Sequence, residues 1–159
     1  MKKQKGFSLI ELLIVVAIIL IIAAIAIPNL LRAKISANEA SGAGSMRTIN
    51  TQEVSYLTTF NFYSPSLAAL GGASGCAATS ATACLIDNVL SGATVASAAK
   101  SGYVFTYTPA AAPAQTYTNV GAPATQGKTG IRQYFSDESG VIRFTSDGTA
   151  PTSASAAMQ

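Results

Sequence analysis

The chain has 159 residues, 49% of them hydrophobic and only 11% charged. That balance is too apolar for an ordinary soluble domain of this length, so part of the chain must leave water. Three of the ten Lys and Arg (Lys2, Lys3 and Lys5) precede Gly6, leaving seven cations against seven anions beyond it, a balance that argues against a nucleic-acid surface, and the absence of His excludes His metal ligands and His-dependent acid/base chemistry.

From Phe7 to Ile27 the chain is apolar for 21 residues, interrupted only by Ser8 and Glu11. As a helix at ~1.5 Å per residue this run reaches ~31 Å, the thickness of a bilayer's hydrocarbon core. The three lysines before it predict an N-in, C-out topology by the positive-inside bias. A secretory signal is the competing reading, with Ala23, Ala24 and Ala26 imitating a cleavage site, but the run is long for one and carries a carboxylate at its cytoplasmic edge. Glu11 costs roughly 2.5 to 3.5 kcal/mol within a membrane helix, so it either snorkels to the headgroups or has a function.

The stretch Lys5-Gly6-Phe7-Ser8-Leu9-Ile10-Glu11-Leu12 resembles the processing and methylation motif of type IV pilins and of their secretion-system relatives, the pseudopilins, and Pro28 stands at the family's usual place. The resemblance implies that a leader, residues 1–6, is removed after Gly6 by a prepilin peptidase, which also methylates the new amino terminus at Phe7. It further implies a structural subunit held in the inner membrane and then assembled by the pilus machinery into a homo-oligomeric helical filament on the cell surface. A pseudopilin of a secretion system is the alternative. After cleavage the Phe7 ammonium and the Glu11 carboxylate form an i, i+4 pair at the positive end of the helix dipole, or meet across two subunits.

Pro28 lacks an amide hydrogen, so a helix crossing it is expected to kink or loosen there. Residues 28–62 read as an amphipathic extension, with Met46, Ile49, Val54, Tyr56, Leu57 and Phe60 on one face and Leu31 and Ile35 on the same side. Glu53 falls inside that face, where an ion pair with Arg47 or a later Arg is expected. Gly42 and Gly44 weaken the helix by about 1 kcal/mol each relative to Ala.

Residues 63–102 are rich in Ala, Gly, Ser and Thr and read as a loop region with little core, anchored by Leu85, Ile86, Val89 and Leu90. Cys76 and Cys84 lie within it, and in an exported chain a disulfide between them is the natural reading. Two thiols without His make an incomplete metal site. Pilins of the resembled family often join Cys residues nearer the C-terminus, so this chain departs from that pattern.

Across residues 103–149 the pattern becomes β: Tyr103 to Thr108, Tyr117 to Val120, and a hairpin of Ile131 to Ser136 and Val141 to Thr145 joined by Asp137-Glu138-Ser139-Gly140. The expected fold is α+β, a long N-terminal helix, membrane-spanning in its first half and amphipathic in its second, packed on three or four antiparallel strands in the pilin-like manner. Residues 150–159 read as a frayed tail. Asp137, Glu138 and Asp147 suit acidic β-turns better than a calcium site. A membrane-anchored extracytoplasmic enzyme is a distant alternative, but nothing groups its possible Ser, Lys and carboxylate catalysts: Lys100-Ser101 is a lone dipeptide, and no cofactor is expected. Lys128, Arg132 and Arg143 are too few to form a DNA-binding patch.

Overall fold

The computed structural model describes residues 7–73 and 75–158; Met1 to Gly6, and with them the expected leader, lie outside the described residues. Helix α1 runs from Leu9 to Phe60 with Pro28 inside it. The chain divides into two units, one ending at Lys34 and one beginning at Ile35.

In the second unit, the head, the later part of α1 lies against one sheet. Strands β1 (Tyr103–Pro109), β2 (Tyr117–Pro123), β3 (Gln133–Asp137), β4 (Arg143–Thr145) and β5 (Ala156–Ala157) pair antiparallel in chain order. Phe105 stands opposite Gly121, and Tyr134 opposite Phe144. Alternation decides which side chains of the first two strands are buried, Tyr103 and Phe105 on β1 and Tyr117 and Asn119 on β2, whereas Tyr134, Phe135 and Ser136 of β3 are all buried. Tyr103, Phe105 and Tyr134 share the main core with Met46, Ile49 and Tyr56 of α1. The turn between β3 and β4 closes on Gly140, which adopts a positive φ of 72° that favours glycine.

Met46, Ile49 and Tyr56 are buried as their spacing predicts, but Val54 is exposed. It follows Glu53, which occupies the centre of the buried stripe, and one residue further along a helix turns the side chain about 100° away. Gly42 and Gly44 separate in the same way. A Cβ on Gly42 would sit 3.0 Å from the ring of Tyr103, whereas one on Gly44 would meet nothing within 4 Å. Gly42 therefore admits the sheet, and Gly44 only weakens the helix. Gly44→Ala should stabilise the head by about 0.5 to 1 kcal/mol and raise its melting temperature by a few degrees, while Gly42→Ala should gain little or lose. Thermal unfolding followed by circular dichroism checks this, and equal shifts from both substitutions would refute it.

Residues 63–102 hold more core than expected. Leu67 and Leu70 of α2 (Leu67–Leu70), Ala83, Ile86, Leu90 of α3 (Asn88–Ser91) and Ala93 all join the main cluster. The small residues allow this by close backbone approach: Ala83 N donates to Ala69 O at 2.7 Å, and Leu85 N and Ile86 N both donate to Leu70 O. A Cβ on Gly72 would collide with Cys76 Sγ. The C-terminal residues differ from expectation as well. Instead of fraying, Ala156 and Ala157 pair with Phe144 and Arg143, Met158 N donates to Ile142 O at 2.8 Å, and Pro151 is buried. Backbone pairing of this kind needs no apolar side chains, so a run of Ala, Ser and Thr gives no sign of it.

Candidate functional site

Two sets of residues invite a functional reading, one in each unit. In the first, Ser8 caps α1: its Oγ accepts from Ile10 N at 3.3 Å, and its carbonyl accepts from Leu12 N at 3.2 Å. Glu11 completes the arrangement by accepting from Ser8 N through Oε2 at 2.9 Å. Ser8-x-x-Glu11 is a capping box in front of an apolar run, and the Ser-to-Glu spacing is its signal in the sequence. The carboxylate thus lies at the positive end of the helix dipole.

Every large apolar side chain from Phe7 to Leu31 is exposed, Phe7 at 77%. Among the described residues α1 is the one helix long and apolar enough to cross a membrane. At roughly 1.5 to 3 kcal/mol for each large side chain moved out of water, a surface of this size amounts to tens of kcal/mol. Such a helix requires lipid or other apolar helices around it.

The second set is a polar seam buried between α1 and the sheet. Glu53, with no exposed surface, accepts from Ser64 N at 3.0 Å through Oε2 and from the Ser64 hydroxyl through Oε1. The Tyr107 hydroxyl donates to Ser64 O at 3.2 Å. Asn50 Oδ1 accepts from Ser136 Oγ at 2.8 Å and Tyr117 OH at 3.2 Å, while its amide donates to Gly140 O at 3.2 Å. Among the described residues the ion pair expected between Glu53 and Arg47 or a later Arg does not form; Ser64 takes the place of the cation. Burial therefore raises the Glu53 pKa above the ordinary carboxylate value, and the bonds from Ser64 offset part of that rise. Burial likewise pushes the Tyr107 and Tyr117 phenols up.

Both cysteines are consumed in the disulfide Cys76–Cys84. Asp87 caps α3 by accepting from Leu90 N at 2.7 Å, and the Lys100 ammonium beside it, also at 2.7 Å, holds its carboxyl below the ordinary range. Asp137 and Asp147 each turn one oxygen onto the amide two residues ahead, of Ser139 and Thr149. Among the described residues no group of three Cys, Asp or Glu is placed to hold a metal ion. Glu39, which the sequence did not single out, accepts from Ile131 N at 2.8 Å and Arg132 N at 3.1 Å and so fixes α1 to the approach of β3. Nothing in its spacing distinguishes it from a solvated helix acid.

Comparison with known proteins supports the motif at the first set. The family described as the prokaryotic N-terminal methylation motif matches residues 1–27. The chain is similar to the type IV wide pilus major component PilA4 of Thermus thermophilus, 64% identical over 39 residues, 24% of this chain and 30% of that protein. It is also similar to the type IV major pilin protein PilA of Myxococcus xanthus, 39% identical over 62 residues, 39% of this chain and 28% of that protein. The chain thus spans less than a third of the length of either relative. No solved structure matches.

Proposed function

We propose that the chain is a structural subunit of a type IV pilus, held in the inner membrane by α1 and then assembled through that helix into an extracellular filament. The observation that carries this reading is the coincidence of two features: the exposed apolar helix begins within the stretch matched by the methylation motif, and Glu11 stands at its start. The names of both similar proteins favour a pilus over a secretion pseudopilus. Apolar side chains that lipid covers in the precursor would be covered by neighbouring helices in the filament, so assembly exchanges one dry environment for another.

Processing supplies the second step. Removal of residues 1–6 would turn the Phe7 amide into an ammonium, which keeps its charge when methylated. In the precursor Glu11 caps the helix; in the processed subunit the same carboxylate would pair with Phe7 of its own chain or of the next. Pro28 would loosen α1 by leaving the carbonyl of Ala24 without its helical donor, which eases bending as subunits leave the bilayer.

Gly6 decides maturation in this scheme, because a peptidase working beside the bilayer must reach the backbone, and a side chain there obstructs it. Gly6→Val should retain the leader and yield no surface filaments. Intact-mass measurement of membrane-extracted protein, with immunogold microscopy using an antibody to the head, tests both steps. A Gly6→Val chain that still begins at Phe7 would overturn the cleavage step, and an unsubstituted chain never found in surface fibres would overturn the function.

A further inference from the structure

A cleft of about 320 Å³ opens between α1 and the β3–β4 hairpin, with Ser36, Glu39 and Ala40 on one wall, Arg132 on the other and Arg47 and Met158 beyond. Two guanidinium groups face it. Arg132 is held in place: its guanidinium carbon lies 5.2 Å from the centroid of the Phe144 ring, and its Nε is 3.7 Å from Glu39 Oε2. Arg47 makes no ion pair among the described residues, and its side chain donates to Met158 Sδ at 3.4 Å. Among the described residues Glu39 is the one acid lining the cleft, and its other oxygen already accepts two backbone N–H groups. The described lining therefore carries one net positive charge and spare guanidinium donors, which suit a carboxylate.

The acids of the second unit are otherwise committed, with one exception. Glu53 is buried on Ser64, Asp87 pairs with Lys100, and Asp137 and Asp147 each cap their own turn. Glu138 is exposed at the tip of the β3–β4 turn and forms no ion pair among the described residues. Arg132 precedes β3 and Glu138 follows it, so at ~3.3 Å per residue a strand of roughly 20 Å separates them within one copy.

We infer that the cleft receives the Glu138 turn of a second copy of this chain. A contact between two different surfaces is heterologous, and when its rotation does not close, it propagates as a helix. The inference rests on the filament reading and adds to it a side contact between heads, which sets register while the apolar helices supply cohesion.

Cross-linking in filaments tests it. The chain's two native cysteines are paired, so introduced thiols are unique. Ala40→Cys places one in the cleft and Ser139→Cys places one at the turn, and all four charged groups remain. Full-length chains carrying one substitution each are co-expressed, and sheared filaments are treated with a short bismaleimide. A dimer band on a denaturing gel should appear when both chains are present and be absent with either alone. In parallel, Glu138→Arg should lower filament number at least about tenfold while leaving processed, membrane-held subunit unchanged, because like charges would then face each other across the contact. Normal filaments without the cross-link overturn the head contact and leave the filament reading standing. So does a cross-link equally strong in either single-cysteine sample. Unsubstituted chains that form no filaments overturn both.

Discussion

Glu11→Gln and Glu11→Ala should both insert, both lose the leader and both give at least about a hundredfold fewer filaments than the unsubstituted chain. The pair separates the capping that the structure shows from the charge pairing proposed for the processed subunit. A Gln at this position can still accept from Ser8 N, as it does in other capping boxes, but it carries no charge. Losing the cap alone costs about 1 kcal/mol. On the proposed assembly, losing the charge would leave the Phe7 ammonium buried and unpaired in the filament core, at a cost of several kcal/mol, and every 1.4 kcal/mol is tenfold in an equilibrium. Insertion is not impaired, since removing a charge from an apolar helix eases its entry into lipid. Filament counts by electron microscopy beside an immunoblot of membrane-held subunits distinguish the cases. If Glu11→Gln made normal filaments and Glu11→Ala did not, the cap would be the function and the charge incidental.

The elements legible in the sequence are those with a long apolar run or a period. The run from Phe7 to Ile27 is legible by its length, while the amphipathic half of α1 and the strands around Tyr103, Tyr117 and Tyr134 follow a repeat of 3.6 or 2 that burial imposes, and the structure has them. The segments read differently are those held by backbone bonds among small residues. Residues 67–93 enter the core through Leu67, Leu70, Ala83, Ile86, Leu90 and Ala93, with no periodic apolar signal beyond the short anchor at Leu85 to Leu90, and Ala156 and Ala157 add a fifth strand with none. At the candidate site the sequence singled out Glu11 by its charge in an apolar run, whereas Ser8 needed its spacing to Glu11 to be read as a cap. A carboxylate on the apolar face marks Glu53 as anomalous, but nothing in the sequence marks its partner. Ser64 lies eleven residues on, beyond the end of α1, where only the fold brings it to the carboxylate.

That buried carboxylate gives the head a pH dependence of definite sign. Because the Glu53 pKa in the folded head lies above its unfolded value, the folded state binds a proton over a pH range where the unfolded chain has lost it. Stability then falls as pH rises, because its slope follows the difference in bound protons between unfolded and folded states. The contribution is complete below the ordinary carboxylate pKa and is lost as pH rises through the raised folded value. Melting temperatures of the detergent-solubilised chain should therefore decline from mildly acidic towards neutral pH, and Glu53→Gln, which cannot titrate, should lose this part of the decline. Glu53→Ala acts differently. It leaves the Ser64 amide and hydroxyl without their acceptor in a closed seam, and each such group costs about 1 to 3 kcal/mol, so the head should melt on the order of 10 °C lower across the whole range. A pH profile of Glu53→Gln identical to that of the unsubstituted chain would show that some other group carries the titration. An Ala variant as stable as the unsubstituted chain would show that water reaches Ser64 and that the seam is not closed.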